Sequence, residues 1–571
     1  MLVFACYLSF FWYTYPMYIK TTKNSAGQIY YHLVESYWQD GQSRQRTLLS
    51  LGKAEDGRLD NLWQAVAKHQ EVLTLIDLAK EISVADTFIL GPLLVLERLF
   101  QNSGIDKLLD KLTQRHPRLG FDLKKLVFTM IASRFVKPGS KLKIFEHWQN
   151  RFFPEMLLGE IQLHQFYRAL SVLAEHKEEI ERDLFWQGRD LLSKEVDIIL
   201  YDLTTLRFES TQATGLRQFG YSKERRSDCT QVVLGLLVRP DGVPVGFEVY
   251  PGNTFEGESV ADIVQKMRDK FQVRRFVFVA DRGLFSRKNL RALRGSNQDK
   301  CGEFIVGMKL GVFKHRHDEF YDLSRHTQIN HELTFYETDH EGDRCIITWS
   351  RARAERDVKA REDILQKIRQ KLQKKKITAK EFVTNKTYQR YVIGFNDNQA
   401  FMLNEKAITE DAKKDGFFGV LTNITDLSAQ AIVTHYKSLW IVEDAFGEIK
   451  GNLKARPVFH WSDQNIIGHL TMCFLAYLCE ALMTKALREK ELMLESPAIE
   501  QGAIEPRPLT VVEAMRELQE VRAIPVKIHS TTIWVRTDIQ GNAQKLFAAI
   551  GLKIPPKVLK LDKNQNPAGT K

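Results

Sequence analysis

The sequence predicts an α/β fold: a mixed sheet with flanking helices, interrupted by an insertion and preceded by a mainly helical region that carries a small β element. Three observations predict it. Two apolar, strand-like runs each deliver an aspartate, Ile198–Tyr201 before Asp202 and Phe276–Ala280 before Asp281. A helical pattern from Leu427 to Ile449 carries Glu443, which lies 162 residues beyond Asp281, far more than a compact sheet needs. The stretch from Leu59 to Leu192 repeats apolar residues at helical spacing.

The chain has 571 residues, enough for two to four domains with ample core. Hydrophobic residues make up 44% and charged residues 27%, an ordinary soluble composition. The net charge of +11 and pI near 9.1 fit a polyanionic partner. Six cysteines, Cys6, Cys229, Cys301, Cys345, Cys473 and Cys479, form neither close pairs nor a zinc-type spacing. A reduced, cytoplasmic compartment is therefore expected, with no zinc site.

Residues 1–16 are apolar and aromatic, but too short to span a bilayer and without a basic leader, so no membrane role is expected. We read them as a non-native extension or disordered tail, with Met17 as the natural start. Residues 17–54 form a small β element: Gln28–Val34 and Arg46–Leu51 alternate around Asp40-Gly41, a hairpin signal. Residues 55–194 read as a helical, DNA-binding region with helices at Leu62–Ile76, Ile89–Phe100, Ile105–Leu112, Leu123–Val136, Phe145–Phe152 and Leu163–Leu192. Arg134, Lys137, Lys141 and Lys143 cluster about Pro138-Gly139 there, either as a solvated helix end or as a DNA reader.

Residues 195–310 form the first part of the core. Between the two aspartates, Gln231–Val238 and Val245–Tyr250 are strands joined by the turn-rich Arg239–Pro244, and a helix follows at Ser259–Phe271. Strand, hairpin, helix and strand in that order are expected of a ribonuclease-H-like fold, with acids at adjacent strand ends. An ionised group emerging from a buried strand needs a partner, and a divalent cation would suffice. Each aspartate alone also fits a simple turn cap. A helix at Arg287–Leu293 and a strand at Phe304–Met308 continue the core.

Residues 311–414 are the insertion. Its Arg344–Trp349 is strand-like, whereas Arg351–Lys376 is dense in charge and reads as a long exposed helix, solvated or tracking phosphates through Leu372–Lys376. Residues 415–495 return to the core: Phe417–Leu421 is a strand, and Tyr436, Glu443 and Lys450, seven residues apart, make a polar stripe on a helix. An apolar helix at Ile466–Met483 bears His469 near its start, and 496–571 is a C-terminal region with a Lys-rich, disordered tail after Pro555.

The spacing Tyr436, Leu439, Glu443, Lys450, with Asp202 and Asp281 upstream, resembles the signature of insertion-sequence DDE transposases that carry a long insertion before the glutamate. The signature's arginine is Leu439 here. Arg456-Pro457-Val458, Asp415–Phe418 with Leu421-Thr422-Asn423, Gly468-His469-Leu470, and Tyr30–Tyr37 with Leu51-Gly52 extend the resemblance over most of the chain. It implies that Asp202, Asp281 and Glu443 are catalytic and bind two Mg²⁺ ions, for which Mn²⁺ can substitute, about 4 Å apart. Tyr436 and Lys450, with Arg282, would then fix DNA phosphates. Trp349 would stack on a flipped base or else sit in the core, and His469 would touch the scissile phosphate or else be a satisfied core group. The implied activity is cut-and-paste transposition in the cytoplasm, at the nucleoid, by a homodimer on double-stranded DNA, namely terminal inverted repeats and target. Two alternatives stand beside it: a nuclease of the same fold without strand transfer, and a domesticated, non-catalytic DNA-binding protein.

Overall fold

The computed structural model describes residues 17–53, 83–84, 87–148, 151–153, 161–187, 197–222, 226, 228–255, 259–271, 275–284, 286–294, 302–308, 310, 317–373, 382, 386–394, 401–502, 504–528 and 531–559. The segment 1–16, the helix expected at Leu62–Ile76 and the end of the Lys-rich tail lie outside them. The chain divides into two units, Met1–Asp86 with Ile524–Val535, and Thr87–Ala523 with Arg536–Lys571.

In the first unit, β1 (Met17–Lys23), β2 (Ile29–Gln39) and β3 (Gln42–Lys53) form an antiparallel sheet in that order. Asp40 and Gly41 turn between β2 and β3 with φ of 53° and 74°, the left-handed pair a two-residue hairpin requires. Val526 and Lys527 pair antiparallel with Val84 and Ser83.

The second unit is a mixed α/β body. Five helices come first: α1 (Gly91–Ser103), α2 (Ile105–Arg115), α3 (Leu123–Val136), α4 (Leu163–Glu175) and α5 (Lys177–Gln187). The single helix expected over Leu163–Leu192 breaks at His176, and the expected Phe145–Phe152 helix is a π-turn at Ile144–Trp148. Then come β4 (Asp197–Arg207), β5 (Gln231–Val238), β6 (Pro244–Pro251), α6 (Ser259–Phe271), β7 (Phe276–Ala280), α7 (Arg287–Arg294) and β8 (Glu303–Met308). They are followed by β9 (Thr327–Asn330), β10 (Leu333–His340), β11 (Asp343–Ser350), α8 (Arg351–Leu372), α9 (Glu405–Ala412), β12 (Phe417–Thr422), α10 (Ala429–Lys437), α11 (Trp440–Lys450), α12 (Asp463–Glu489), α13 (Val511–Leu518) and α14 (Gly541–Ala549).

Nine strands make one sheet in the order β9-β10-β11-β12-β8-β7-β4-β5-β6. Pairing of β4 with β7 and of β7 with β8 is parallel, and every other neighbour is antiparallel. Parallel strands are covered on both faces, which is why β7 reads as five consecutive buried apolar residues. On one face Ile199, Tyr201, Leu203, Phe278 and Phe304 pack with Val260, Ile263 and Met267 of α6. Alternation along β4 sends Leu200, Asp202 and Thr204 to the other face.

One expectation is corrected. Asp202 does not end its strand: Thr204, Thr205 and Leu206 continue pairing with β5 as far as Arg207, and only the parallel neighbour stops, at Ala280. Within 311–414, strands β9, β10 and β11 extend the main sheet beside β12. The second half of that stretch does gather its own apolar cluster, in which Leu365 and Ile368 of the otherwise solvated α8 meet Phe382, Tyr391, Val392 and Ala407.

Helix α12 is long and apolar enough to cross a membrane, yet 83% of its apolar window is buried inside the fold, so it is the central core helix. Glu480 lies half-buried on this helix. Burial, followed by the nearby Glu448 carboxylate, lifts the Glu480 carboxyl from its ordinary 4.5 to about 7. The folded state thus favours the protonated form, so this stabilisation is complete below about pH 4.5 and is lost as pH rises through about 7. Glu480→Gln should remove that loss. Urea melts at pH 5 and pH 8 should differ by on the order of a few kcal/mol less in the variant than in the parent, and equal differences would reject the assignment.

Candidate active site

The pairing of β4 with β7 aligns Tyr201 with Ala280, so Asp202 and Asp281 are the next residues in register on neighbouring strands. Adjacent strands lie about 4.8 Å apart. Asp202 is half-buried and Asp281, one residue past its strand, is exposed. On the other side of β7, Ala280 aligns with Val306, which brings Gly307 beside Asp281. The Tyr436 hydroxyl occupies the space above that glycine and donates to Oδ1 of Asp281 at 3.1 Å. A Cβ at position 307 would stand 2.3 Å from the Tyr436 oxygen, so the contact requires glycine there. Burial, and next the Asp281 carboxylate, push the Tyr436 phenol well up, which keeps it a proton donor. Its ring stacks on Phe418 with centroids 5.8 Å apart, and the Arg353 guanidinium lies 5.3 Å from the Phe418 centroid.

Glu443 arrives on α11. The single helix expected over Leu427–Ile449 is two helices, joined by a tight step at Ser438-Leu439. The amide of Leu439 donates to Tyr436 O, Ile441 to Ser438 O and Val442 to Leu439 O, a 3₁₀-type pattern. The Ser438 hydroxyl also donates back to Thr434 O at 3.0 Å. The polar stripe is thereby shared between two helices: Tyr436 meets Asp281 from α10, and Glu443 and Lys450 belong to α11. Lys450 Nζ donates to the Thr204 hydroxyl, two residues along β4 from Asp202 and on the same face.

Asp202, Asp281, Glu443 and Tyr436 line one cleft of about 710 Å³, together with Leu439, Lys437, Arg353 and Arg356. A second cleft of about 790 Å³ shares the wall of Asp281, Arg353, Phe418 and Tyr436, and adds Arg282, Lys413 and Lys414. All donors offered by the three acids are carboxylate oxygens, the set that suits hard divalent cations. Outside the clefts, His116, Glu175 and His176 also bring ligand-type atoms within 4.8 Å of one another.

Two residues named from the sequence sit elsewhere. Trp349 is partly buried against the sheet's core, next to Gly416. His469 is only 4% exposed, with its Nδ1 2.9 Å from Lys141 Nζ and its Nε2 3.1 Å from Ala455 O. Neither opens on the cleft, because each has found partners in the core. The sequence reading missed Arg353 and Arg356: in a helix dense in charge it weighted the far end, Leu372–Lys376, part of which lies outside the described residues. The available signal was the cluster Arg351, Arg353 and Arg356 directly after a strand.

Residues 194–479 match the family model of the transposase DDE domain, and residues 18–74 match that of the IS1634 family transposase N-terminal domain. No curated protein matches the chain. Among solved structures, a piggyBac transposase synaptic complex with hairpin DNA is similar at a TM-score of 0.34 and 8% identity over 70% of each chain. At that level the likeness carries no residue correspondence. The transposase DDE match spans half of the chain and contains β4, β7, α10 and α11 with every acid of the cleft, and so the chain belongs to the DDE transposases, as an insertion-sequence transposase.

Proposed function

We propose that Asp202, Asp281 and Glu443 are the catalytic acids of a ribonuclease-H-like core that cuts the ends of its insertion sequence and joins them to target DNA. The observation that carries this reading is the β4–β7 register, which sets two aspartates side by side on the wall of a cleft that Glu443 also lines. The all-carboxylate donor set fits a pair of Mg²⁺ ions, which Asp202, Asp281 and Glu443 would hold and which, when bound, would supply activation of a water or 3′-hydroxyl and stabilisation of the departing oxygen.

The chain's own residues do the positioning. Tyr436 donates to Asp281 and fixes its carboxylate, since its phenol stays protonated. Lys450, tied to Thr204, holds positive charge beside Asp202, and Arg282 and Arg353 line the approach. We assign to Arg353 the phosphate contact that the signature's arginine would make, because Leu439 and Arg353 line the same cleft. Hydrolysis breaks the phosphodiester at the element end and leaves a 3′-hydroxyl. That hydroxyl then displaces the 3′-oxygen of a target phosphodiester, as in cut-and-paste transposition by a dimer holding both ends.

Asp202→Asn, Asp281→Asn and Glu443→Gln should each keep DNA binding and lose at least about a hundredfold in cleavage, measured on a duplex carrying the gene's flanking repeats with Mg²⁺. Strand transfer at the parental rate from any one of them sinks the assignment. Gly307→Ala should displace the Tyr436 hydroxyl and slow cleavage roughly tenfold or more, with little change in DNA affinity; an unchanged rate would remove Tyr436 from the scheme. Arg353→Met should weaken DNA binding and flatten its salt dependence by about one counterion. Adding Leu439→Arg should recover part of the loss, and a double variant no better than the single one would reject the substitution of one arginine for the other.

A further inference from the structure

Away from the acids, Arg134, Lys141, His460 and His469 meet at a small cavity of about 160 Å³. Arg134 is 5% exposed and Lys141 3%. Lys141 Nζ donates to Nδ1 of His469 at 2.9 Å and to Nε2 of His460 at 3.3 Å. Burial pushes His469 well down and His460 down to about 3, so both rings are neutral and can accept. Arg134 Nη1 donates to Leu453 O and Lys454 O, while its Nε is buried with no hydrogen-bond partner among the described residues. Lys454 and Arg456 add charge to the lining, which among the described residues holds no carboxylate. Burial, and next the Arg134 charge, push the Lys141 amine well down from its ordinary value, so an anion in the cavity is what would hold Lys141 as a cation beside the buried guanidinium.

Phe459 lines the cavity. Phe459 and Trp461, 64% and 62% exposed, flank His460, which is 8% exposed. Arg217, itself buried, lies 4.6 Å from the Trp461 ring centroid and covers one face of it. An exposed aromatic face beside a basic pocket is the arrangement on which nucleic-acid bases stack.

We propose that the Arg134–Lys141 pocket takes one backbone phosphate of the DNA strand being cut, with adjoining bases against Phe459 and Trp461. This rests on the transposase reading and adds a second contact to it. Its position follows from β4: Val458 N donates to Arg207 O, and Phe208 bridges Val458, six residues along the strand from Asp202. Six residues of strand span about 20 Å, which is roughly six nucleotides of duplex at about 3.4 Å each.

The test uses the full chain and a labelled duplex carrying the gene's flanking repeat, with binding followed across salt concentrations. Lys141→Met should weaken binding about tenfold and reduce the salt slope by about one. A neutral methylphosphonate placed singly about four to eight nucleotides from the cut should weaken the parent and leave Lys141→Met unaffected. Because a buried lysine variant can fail to fold, the surface pair Phe459→Ala with Trp461→Ala carries the same prediction of weaker binding at an unchanged melting temperature. The proposal is overturned if the aromatic pair and every methylphosphonate duplex bind as the parent does. The enzyme reading then still stands if Asp202→Asn has lost cleavage. Millimolar inorganic phosphate that raises the melting temperature of the parent but not of Lys141→Met, with DNA affinity equal in both, would make the pocket a small-anion site and also overturn it.

Discussion

The arrangement of the cleft depends on one piece of backbone pairing, the parallel ladder between β4 and β7. Ile198–Tyr201 and Val277–Ala280 run side by side in fixed register, and the ladder ends where the two aspartates begin. A slip of one residue would turn Asp202 into the core face and Tyr201 and Leu203 out of it. The side chains that forbid it are large and fully buried: Tyr201 is 0% exposed, its hydroxyl donates to Ser259 at 3.0 Å, and its ring lies 5.1 Å from that of Phe278. Much of the apolar packing around the sheet can thus be understood as holding two exposed or half-exposed carboxylates in one row.

From that row outward each further group is placed by a local device. Gly307 leaves the space that the Tyr436 hydroxyl fills, and the 3₁₀ step at Ser438-Leu439 re-aims the chain so that Tyr436 and Glu443 approach the aspartates from two helices. An unbroken helix would keep the two on one stripe, about 10 Å apart along its axis at 1.5 Å per residue. Lys450 then anchors the far end of α11 to Thr204 and closes the frame onto β4.

The strands, the Asp40-Gly41 hairpin and the acids were legible in the sequence because each has a local cause: an apolar run, a left-handed turn pair, a carboxylate directly after buried residues. The errors arose where tertiary partners decide. The extent of β4 is set by β5, which keeps pairing as far as Arg207 after β7 has stopped. The step in the helix before Glu443 carries no proline or glycine, only a serine that bonds backward. His469 looks alike as a phosphate contact or as a core group until Lys141, 328 residues away in sequence, is seen to bond it.

Strand β4 joins the two regions that matter most. Asp202 sits midway along it, Thr204 receives Lys450, and beyond its end Phe208 bridges Val458 within the segment that carries Arg456, Phe459, His460 and Trp461. A phosphate held beyond the end of the strand and a bond cut at its middle would therefore be separated by paired backbone, not by flexible side chains. Paired backbone deforms little compared with a lysine or arginine stem, which can reach several positions at small cost. Misplacing a reacting phosphodiester by about an ångström can cost a hundredfold in rate. On the proposed reading a rigid strand is the better element for fixing where along a DNA end the cut falls, while Lys413 and Lys414 of the open cleft would suit the looser task of drawing the polyanion in.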